Sequence, residues 1–115
     1  RVLFRSQEAL HIGCAFDAKA PERRRAELIK LLTLVNEQLW VGHFGFWEQE
    51  AVILFRHAIL LPDGQQPNAA QCEAATKAAI EACERYYQAV QFVLWSGRGA
   101  TEALDAALFE TAGEA

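Results

Sequence analysis

The side chains of this sequence that could hold a metal are three histidines with a nearby thiol and carboxylate. His11, His43 and His57, with Cys14 and Glu37 in support, supply the imidazole, thiolate and carboxylate groups that suit zinc. No two of the histidines have the HxxxH or HxH spacing that places two rings on one metal. We therefore interpret them as structural residues at strand edges or in a partner interface, and expect no metal site.

A cysteine nucleophile would need a base within hydrogen-bond reach, and the spacing argues against one. Cys14 and His11 are three residues apart in a predicted strand, so their side chains point to opposite faces. Cys72 and Cys83 share one face of a predicted helix but lie roughly 16 Å apart along its axis. The GRG sequence at 97–99 lacks the strand and lysine of a phosphate-binding loop. We expect no enzyme activity and no cofactor.

The composition is that of one soluble domain spanning residues 1–115, with 52% hydrophobic and 23% charged residues. No run of 18 apolar residues exists to span a membrane, and the net charge of −4 disfavours nucleic-acid binding. The odd number of cysteines without a CxxC pair indicates reduced thiols and a cytoplasmic protein. Because the chain starts at Arg1 in a strand-like pattern, we expect a missing N-terminal segment.

The first half of the chain predicts two hairpins separated by a helix. RVLFR and ALHIGCAFDA are typical of paired strands, and the residues at 10, 12, 14 and 16 should face the core. Pro21 at a first helical position starts a helix that runs to about Leu39. GHFGFW and AVILFRHAILLP then predict a second hairpin turning at EQE, which places His43 opposite Phe55. The strand at 51–61 is apolar on both faces, which predicts cover on both.

The second half predicts two helices after the loop PDGQQPN. Asn68 is the expected N-cap of a long helix, with Gln71 in capping-box register. Residues 90–95 fit either the end of this helix or a strand, and Thr101 is predicted to cap a short last helix. The order β-β-α-β-β-α-α indicates an α+β fold with an antiparallel sheet of about four strands and helices packed mainly on one face.

The sequence LLTLVNEQLWVGHFGFW, followed by VILFRHAILL and CERYY, resembles the YbjN-type family of bacterial sensory transduction regulators. The likeness covers almost the whole chain and is most specific from Val35 to Trp47. It implies a fold like that of type III secretion chaperones, which are small homodimeric binders of other proteins without catalytic activity. It also implies a helix ahead of the first strand, and it carries no reaction, substrate or cofactor.

The segment after the first long helix is rich in aromatic residues. Trp40, His43 and Trp47 can form a wall opposite Phe44 and Phe46, which is the composition of an interface hot spot. The alternative, that all these aromatics fill one small core, is equally consistent with the pattern. The candidate interaction surface consists of Trp40, His43, Trp47, Phe55, His57, Arg23, Arg24 and Arg25.

The three arginines at 23–25 oppose the dipole of the helix they begin. They indicate either docking of an acidic partner or a solvated face on which Arg23 pairs with Glu27. Our main hypothesis is a non-enzymatic regulatory or chaperone-like module of the bacterial cytoplasm, homodimeric and bound to another protein, without nucleic-acid or membrane partners. The alternative is a small-molecule sensor with a pocket between the sheet and the long helix, lined by Glu37, Trp40, Tyr86 and Tyr87.

Overall fold

Two β-hairpins separated by a helix, followed by two further helices, make up the chain in this computed structural model. The structure describes residues 2–6, 8–16 and 20–114, with side chains described at 8–16 and 20–109. Parts of the predicted first turn and second strand, at positions 7 and 17–18, lie outside the described residues. The elements are β1 (Val2–Ser6), β2 (Ala9–Ala15), α1 (Arg25–Gln38), β3 (His43–Trp47), β4 (Val52–Leu60), α2 (Ala69–Leu94) and α3 (Ala100–Glu114).

The strands form one antiparallel sheet in the order β1-β2-β4-β3, which confirms the predicted α+β class. The helix α1 connects β2 to β3, and β4 then returns into the space between them. β4 is therefore paired on both edges, whereas β3 is an edge strand whose outer side faces α1. This topology explains why β4 is the longest strand and the most apolar one.

The core lies between one face of the sheet and the helices α1 and α2. Ile53 and Phe55 of β4 are fully buried there, against Leu28, Leu31 and Val35 of α1. Burying each such side chain contributes about 1.5 to 3 kcal/mol. The prediction that β2 turns positions 10, 12, 14 and 16 inward is confirmed, with position 14 only half-buried.

The other face of the sheet, called the outer face from here on, carries no helix of the described chain. Arg56, Ala58 and Leu60 are exposed on it, and Val52 and Leu54 are half-buried. Helices thus cover one side of β4, and the predicted cover of the second side stays a prediction about a partner.

The second hairpin turns over four residues, 48–51, instead of the three predicted, because Ala51 adopts a positive φ of 56°. The register therefore shifts by one residue, so that His43 lies opposite Arg56 and Phe44 opposite Phe55. The predicted pairing of His43 with Phe55 is wrong. A positive φ is uncommon for alanine, so the sequence carried no signal for the extra turn residue.

The helical ends follow local rules with one exception. Asn68 and Gln71 form the predicted capping box of α2, with bonds of 2.8 and 2.9 Å. Residues 90–94 continue α2 as helix, since burial of Val90 and Val93 follows the helical period. Thr101 is not the cap of α3, because the helix already begins at Ala100.

Candidate functional site

At the corner between α1 and β3, the side chain of Asn36 makes the backbone hydrogen bonds that a neighbouring strand would make. Asn36 Nδ2 donates to the carbonyl oxygen of Phe44 at 2.9 Å, and the Phe44 N–H donates to Asn36 Oδ1 at 2.8 Å. Both backbone groups of Phe44 on the outer edge of β3 are thereby satisfied. This pair fixes the end of α1 against the first residues of β3 and blocks strand addition at Phe44.

Gly42 lets the chain cross closely over the core at this corner. It has a φ of 73°, and a Cβ built on it would lie 2.3 Å from Cζ of Phe55 and 3.0 Å from the Arg56 carbonyl oxygen. No other residue fits there without displacing the phenyl ring. Gly45, in contrast, has open space around it, so of these two glycines only Gly42 makes a close approach.

Trp40 stands at the apex of this corner with 99% of its surface exposed, and its neighbour Val41 is 47% exposed. Beside them runs an open groove of about 290 Å³, walled on the far side by α2. On the α2 side its lining includes the small side chains of Ala78 and Ala82. We call Trp40, Val41 and this groove the corner surface; its remaining lining residues are Gln38, Leu39, Glu81, Arg85 and Tyr86.

The aromatic residues divide between core and surface, so the alternative that all of them fill one small core is wrong. Phe44 is buried, with its ring centroid 5.3 Å from that of Phe55 and 6.1 Å from that of Tyr86. Trp47 is 43% exposed on the outer face, where the Arg56 guanidinium lies 5.6 Å from its ring centroid. The predicted alternation along β3 is therefore confirmed.

Two residues predicted on the interaction surface occupy other environments. Phe55 is fully buried, so its place on that surface was wrong: β4 directs it inward together with Ile53. His57 is half-buried on the same side, near the end of the sheet, while His43 is exposed on the outer face. Trp40, Trp47 and His43 remain available to a partner.

The arginine triplet is not a free cationic patch. Arg24 Nε donates to the Val93 carbonyl oxygen at 2.9 Å and Nη2 to that of Arg98 at 2.6 Å. The Arg25 guanidinium lies 5.4 Å from the ring centroid of Phe46, and of the three only Arg23 is exposed. Two of the three arginines are therefore engaged within the chain.

Glu27 has a different partner from the one predicted. Its Oε2 accepts from the backbone N–H of Ala100 at 2.8 Å, the first residue of α3, so the predicted Arg23–Glu27 pair is wrong. A carboxylate at a helix N-terminus satisfies an orphan donor and complements the helix dipole. Arg24 and Glu27 together hold the α2–α3 connection onto α1, a contact that sequence reasoning missed.

The predicted ligand pocket does not assemble. Trp40 and Tyr86 line the same groove, but Glu37 and Tyr87 do not. Tyr87 is 44% exposed and packs edge-on against Phe16, with ring centroids 5.7 Å apart. Consecutive residues of a helix project about 100° apart, which turns Tyr87 away from the groove. Tyr86 is buried, and its hydroxyl donates to Gln38 Oε1 at 3.0 Å.

Two thiols meet between β2 and α2. Burial, and then a hydrogen bond with Cys14, raise the pKa of Cys83 to about 12. Such a thiol stays protonated and behaves as a small buried hydrophobe. In the described part of the chain, no group of three His, Cys, Asp or Glu side chains could hold a metal ion. None of the helices described is both long and apolar enough to cross a membrane.

Comparison with known proteins identifies one related family. The family model YbjN, described as "Putative bacterial sensory transduction regulator", matches residues 2–92. The match contains the whole sheet, α1, the corner and most of α2, and it ends before α3. No curated protein and no solved structure matched the chain.

Proposed function

The chain belongs to the YbjN family, and from that premise we propose that it is a non-enzymatic regulatory module that works by binding other proteins. The family description names a regulator of sensory transduction and not a reaction. The proposal includes a chaperone-like mode of action, a homodimeric state and a location in the bacterial cytoplasm. The arrangement of helices on one face of an antiparallel sheet supports the likeness to type III secretion chaperones.

The exposure of Trp40 is the observation that carries this proposal. An indole that is 99% exposed gains nothing from folding of the monomer, and its neighbour Val41 adds further apolar surface. Tryptophan is the residue type most enriched among interface hot spots, where it enters a pocket on the partner. The adjoining groove of about 290 Å³ is such a pocket, so two copies can exchange their Trp40 side chains about a two-fold axis.

Light scattering tests the proposal by measuring the molar mass at high micromolar concentration. We expect a dimer for the wild-type protein and a shift toward monomer for Trp40→Ala. Trp95→Ala is the matched control. Trp95 is 63% exposed and directly follows the last residue of α2, so its replacement should leave the mass unchanged. A wild-type protein that stays monomeric, or a Trp40→Ala variant with undiminished dimerisation, contradicts the dimer interface proposed at this corner.

A further inference from the structure

The strand β4 extends beyond the end of its neighbour β3. The first residue of β3, His43, lies opposite Arg56, yet β4 continues to Leu60. On its other edge β4 stays paired with β2 along this whole extension, to the Ala9–Leu60 pair. Over residues 57–60, one edge of β4 therefore has no neighbouring strand in the described part of the chain.

Odd- and even-numbered residues of β4 direct their peptide groups to opposite edges of the strand. This alternation shows which peptide groups face the unpaired stretch at 57–60, called the gap here. The Ile53 carbonyl accepts from the Phe16 N–H at 3.0 Å, and the Leu61 N–H donates to the Glu8 carbonyl at 2.7 Å, so odd-numbered residues bond toward β2. Even-numbered residues bond toward β3, because neighbouring residues of a strand alternate the edge to which they present N–H and C=O. Ala58 and Leu60 thus direct their peptide groups into the gap, where no described residue pairs with them.

The gap forms a notch whose polar lining is basic. An open depression of about 330 Å³ is lined by His43, Arg56 and His57, with the small Gly42 and Ala58 between them. Among the described residues that line it, none is a carboxylate. Gly42 borders the notch beside β4, and it has no side chain to fill the space.

We propose that this notch, formed by Ala58 and Leu60 with His43, Arg56 and His57, binds an extended acidic segment of a partner protein as an added strand. The inference rests on the proposed function, because it names a partner chemistry for a protein-binding module. Main-chain hydrogen bonds to Ala58 and Leu60 hold the segment, and carboxylates on it meet the basic side chains. The Arg56 guanidinium, which lies over Trp47, is exposed and reaches such a carboxylate by a change of rotamer.

The basic lining favours an acidic partner over a second copy of this chain. If two copies paired antiparallel through this edge about Ile59, the residues opposite His57 and Ala58 would be Leu61 and Leu60 of the other copy. Those side chains bring no negative charge to the notch. Pairing through this edge is therefore a separate outcome: a dimer that persists in Trp40→Ala and does not bind EVEVEV would indicate it and overturn the acidic partner.

Two acetylated six-residue peptides, EVEVEV and KVKVKV, serve as probes, with binding followed by amide shifts in ¹⁵N NMR spectra. We expect EVEVEV to shift the amides of Ala58 and Leu60 and to bind at least about tenfold more tightly than KVKVKV, because like charges oppose the basic peptide. Arg56→Gln should weaken EVEVEV about fivefold, as expected for one exposed ion pair. Lys30→Gln, which removes a positive charge from an exposed position of α1, is the matched control. Equal binding of both peptides, or shifts only outside residues 57–60, overturns the inference.

A proline variant tests the open peptide group directly. Leu60→Pro removes an N–H that bonds to none of the described residues, so the fold should survive while EVEVEV binding falls about tenfold, the loss expected with a main-chain bond. Leu60→Ala controls for the lost side chain. If Leu60→Pro does not fold, the affinity of Arg56→Gln for EVEVEV still tests whether the notch binds an acidic segment. A dimer that binds neither peptide leaves the proposed function standing and refutes the notch. A monomer that binds EVEVEV supports the notch and refutes the dimer at the corner surface.

Discussion

The side-chain amide of Asn36 hydrogen bonds to both the N–H and the C=O of Phe44, at 2.8 and 2.9 Å. A side chain of α1 thus takes the place that a neighbouring strand would occupy on the edge of β3. This pair joins the end of the helix to the start of the strand, and the four residues between them are displayed as a projecting corner with Trp40 at its apex.

Replacing Asn36 by Asp should loosen this corner. The carboxylate still accepts from the Phe44 N–H but faces the Phe44 carbonyl without a donor, which should cost about 1 to 3 kcal/mol. The free energy of unfolding in urea measures the loss. Glu37→Gln, at the exposed neighbouring position, should change stability by less than about 0.5 kcal/mol. Equal stabilities for the two variants would show that the Asn36 amide does not hold the corner.

Gly42→Ala and Gly64→Ala separate backbone strain from steric contact. Both glycines have a positive φ, 73° and 71°, but only at Gly42 would a Cβ meet another residue, at 2.3 Å from Phe55 Cζ. Gly64→Ala should cost about 1 to 2 kcal/mol from conformation alone. Gly42→Ala should cost about 1 to 3 kcal/mol more, because Phe55 must move within the core. Similar costs for both substitutions would refute a tight contact at Gly42.

Arg24→Ala should release α3 from the rest of the fold. The substitution removes the donors to the Val93 and Arg98 carbonyls, and a charge-assisted bond of this kind contributes about 1.5 to 3 kcal/mol. Hydrogen exchange should therefore accelerate over residues 100–109 more than in the sheet. Arg23→Ala removes an exposed arginine one position earlier and should leave exchange unchanged. Identical exchange in the two variants would mean that Arg24 does not anchor α3.

The Cys83 thiol should make the protein less stable at alkaline pH. Burial and the Cys14 contact raise its pKa from 9.0 to about 12, so above pH 9 the unfolded chain loses this proton while the folded chain keeps it. The folded state then binds more protons, and its stability falls between pH 9 and about 12 by up to about 1.4 kcal/mol per pH unit. Unfolding measured on both sides of pH 9 should show a shallower loss in Cys83→Ala than in Cys72→Ala. If the unfolding free energy falls equally steeply with pH in both variants, the Cys83 thiol is not the cause of the alkaline loss.

Local rules predicted much of the fold because they act over short distances in the chain. The inward positions of β2, the capping box at Asn68 and the alternation along β3 each depend on residues a few positions apart. The register of the second hairpin escaped prediction, since Ala51 at a φ of 56° has no signal in its residue type. One unexpected turn residue was enough to change the partner of His43.

The site was less predictable because its defining contacts are long-range. Arg24 meets Val93 across 69 positions, and Glu27 meets Ala100 across 73. Three arginines in a first helical turn indicated that other groups bind them, but the sequence could not show whether those groups lie in this chain or in another protein. The notch beside Ala58 depends on where β3 begins, at His43, and on the hairpin register that places His43 opposite Arg56.

The central claim, that the corner surface is an interface, is tested most directly by the environment of Trp40 as protein concentration rises. In a variant with Trp47→Phe and Trp95→Phe, Trp40 is the only tryptophan left, and acrylamide quenching of its fluorescence reports its exposure. We predict strong quenching in dilute solution and protection that grows in step with the molar mass from light scattering. A molar mass that doubles while acrylamide still quenches the Trp40 fluorescence as strongly as in dilute solution would contradict the claim.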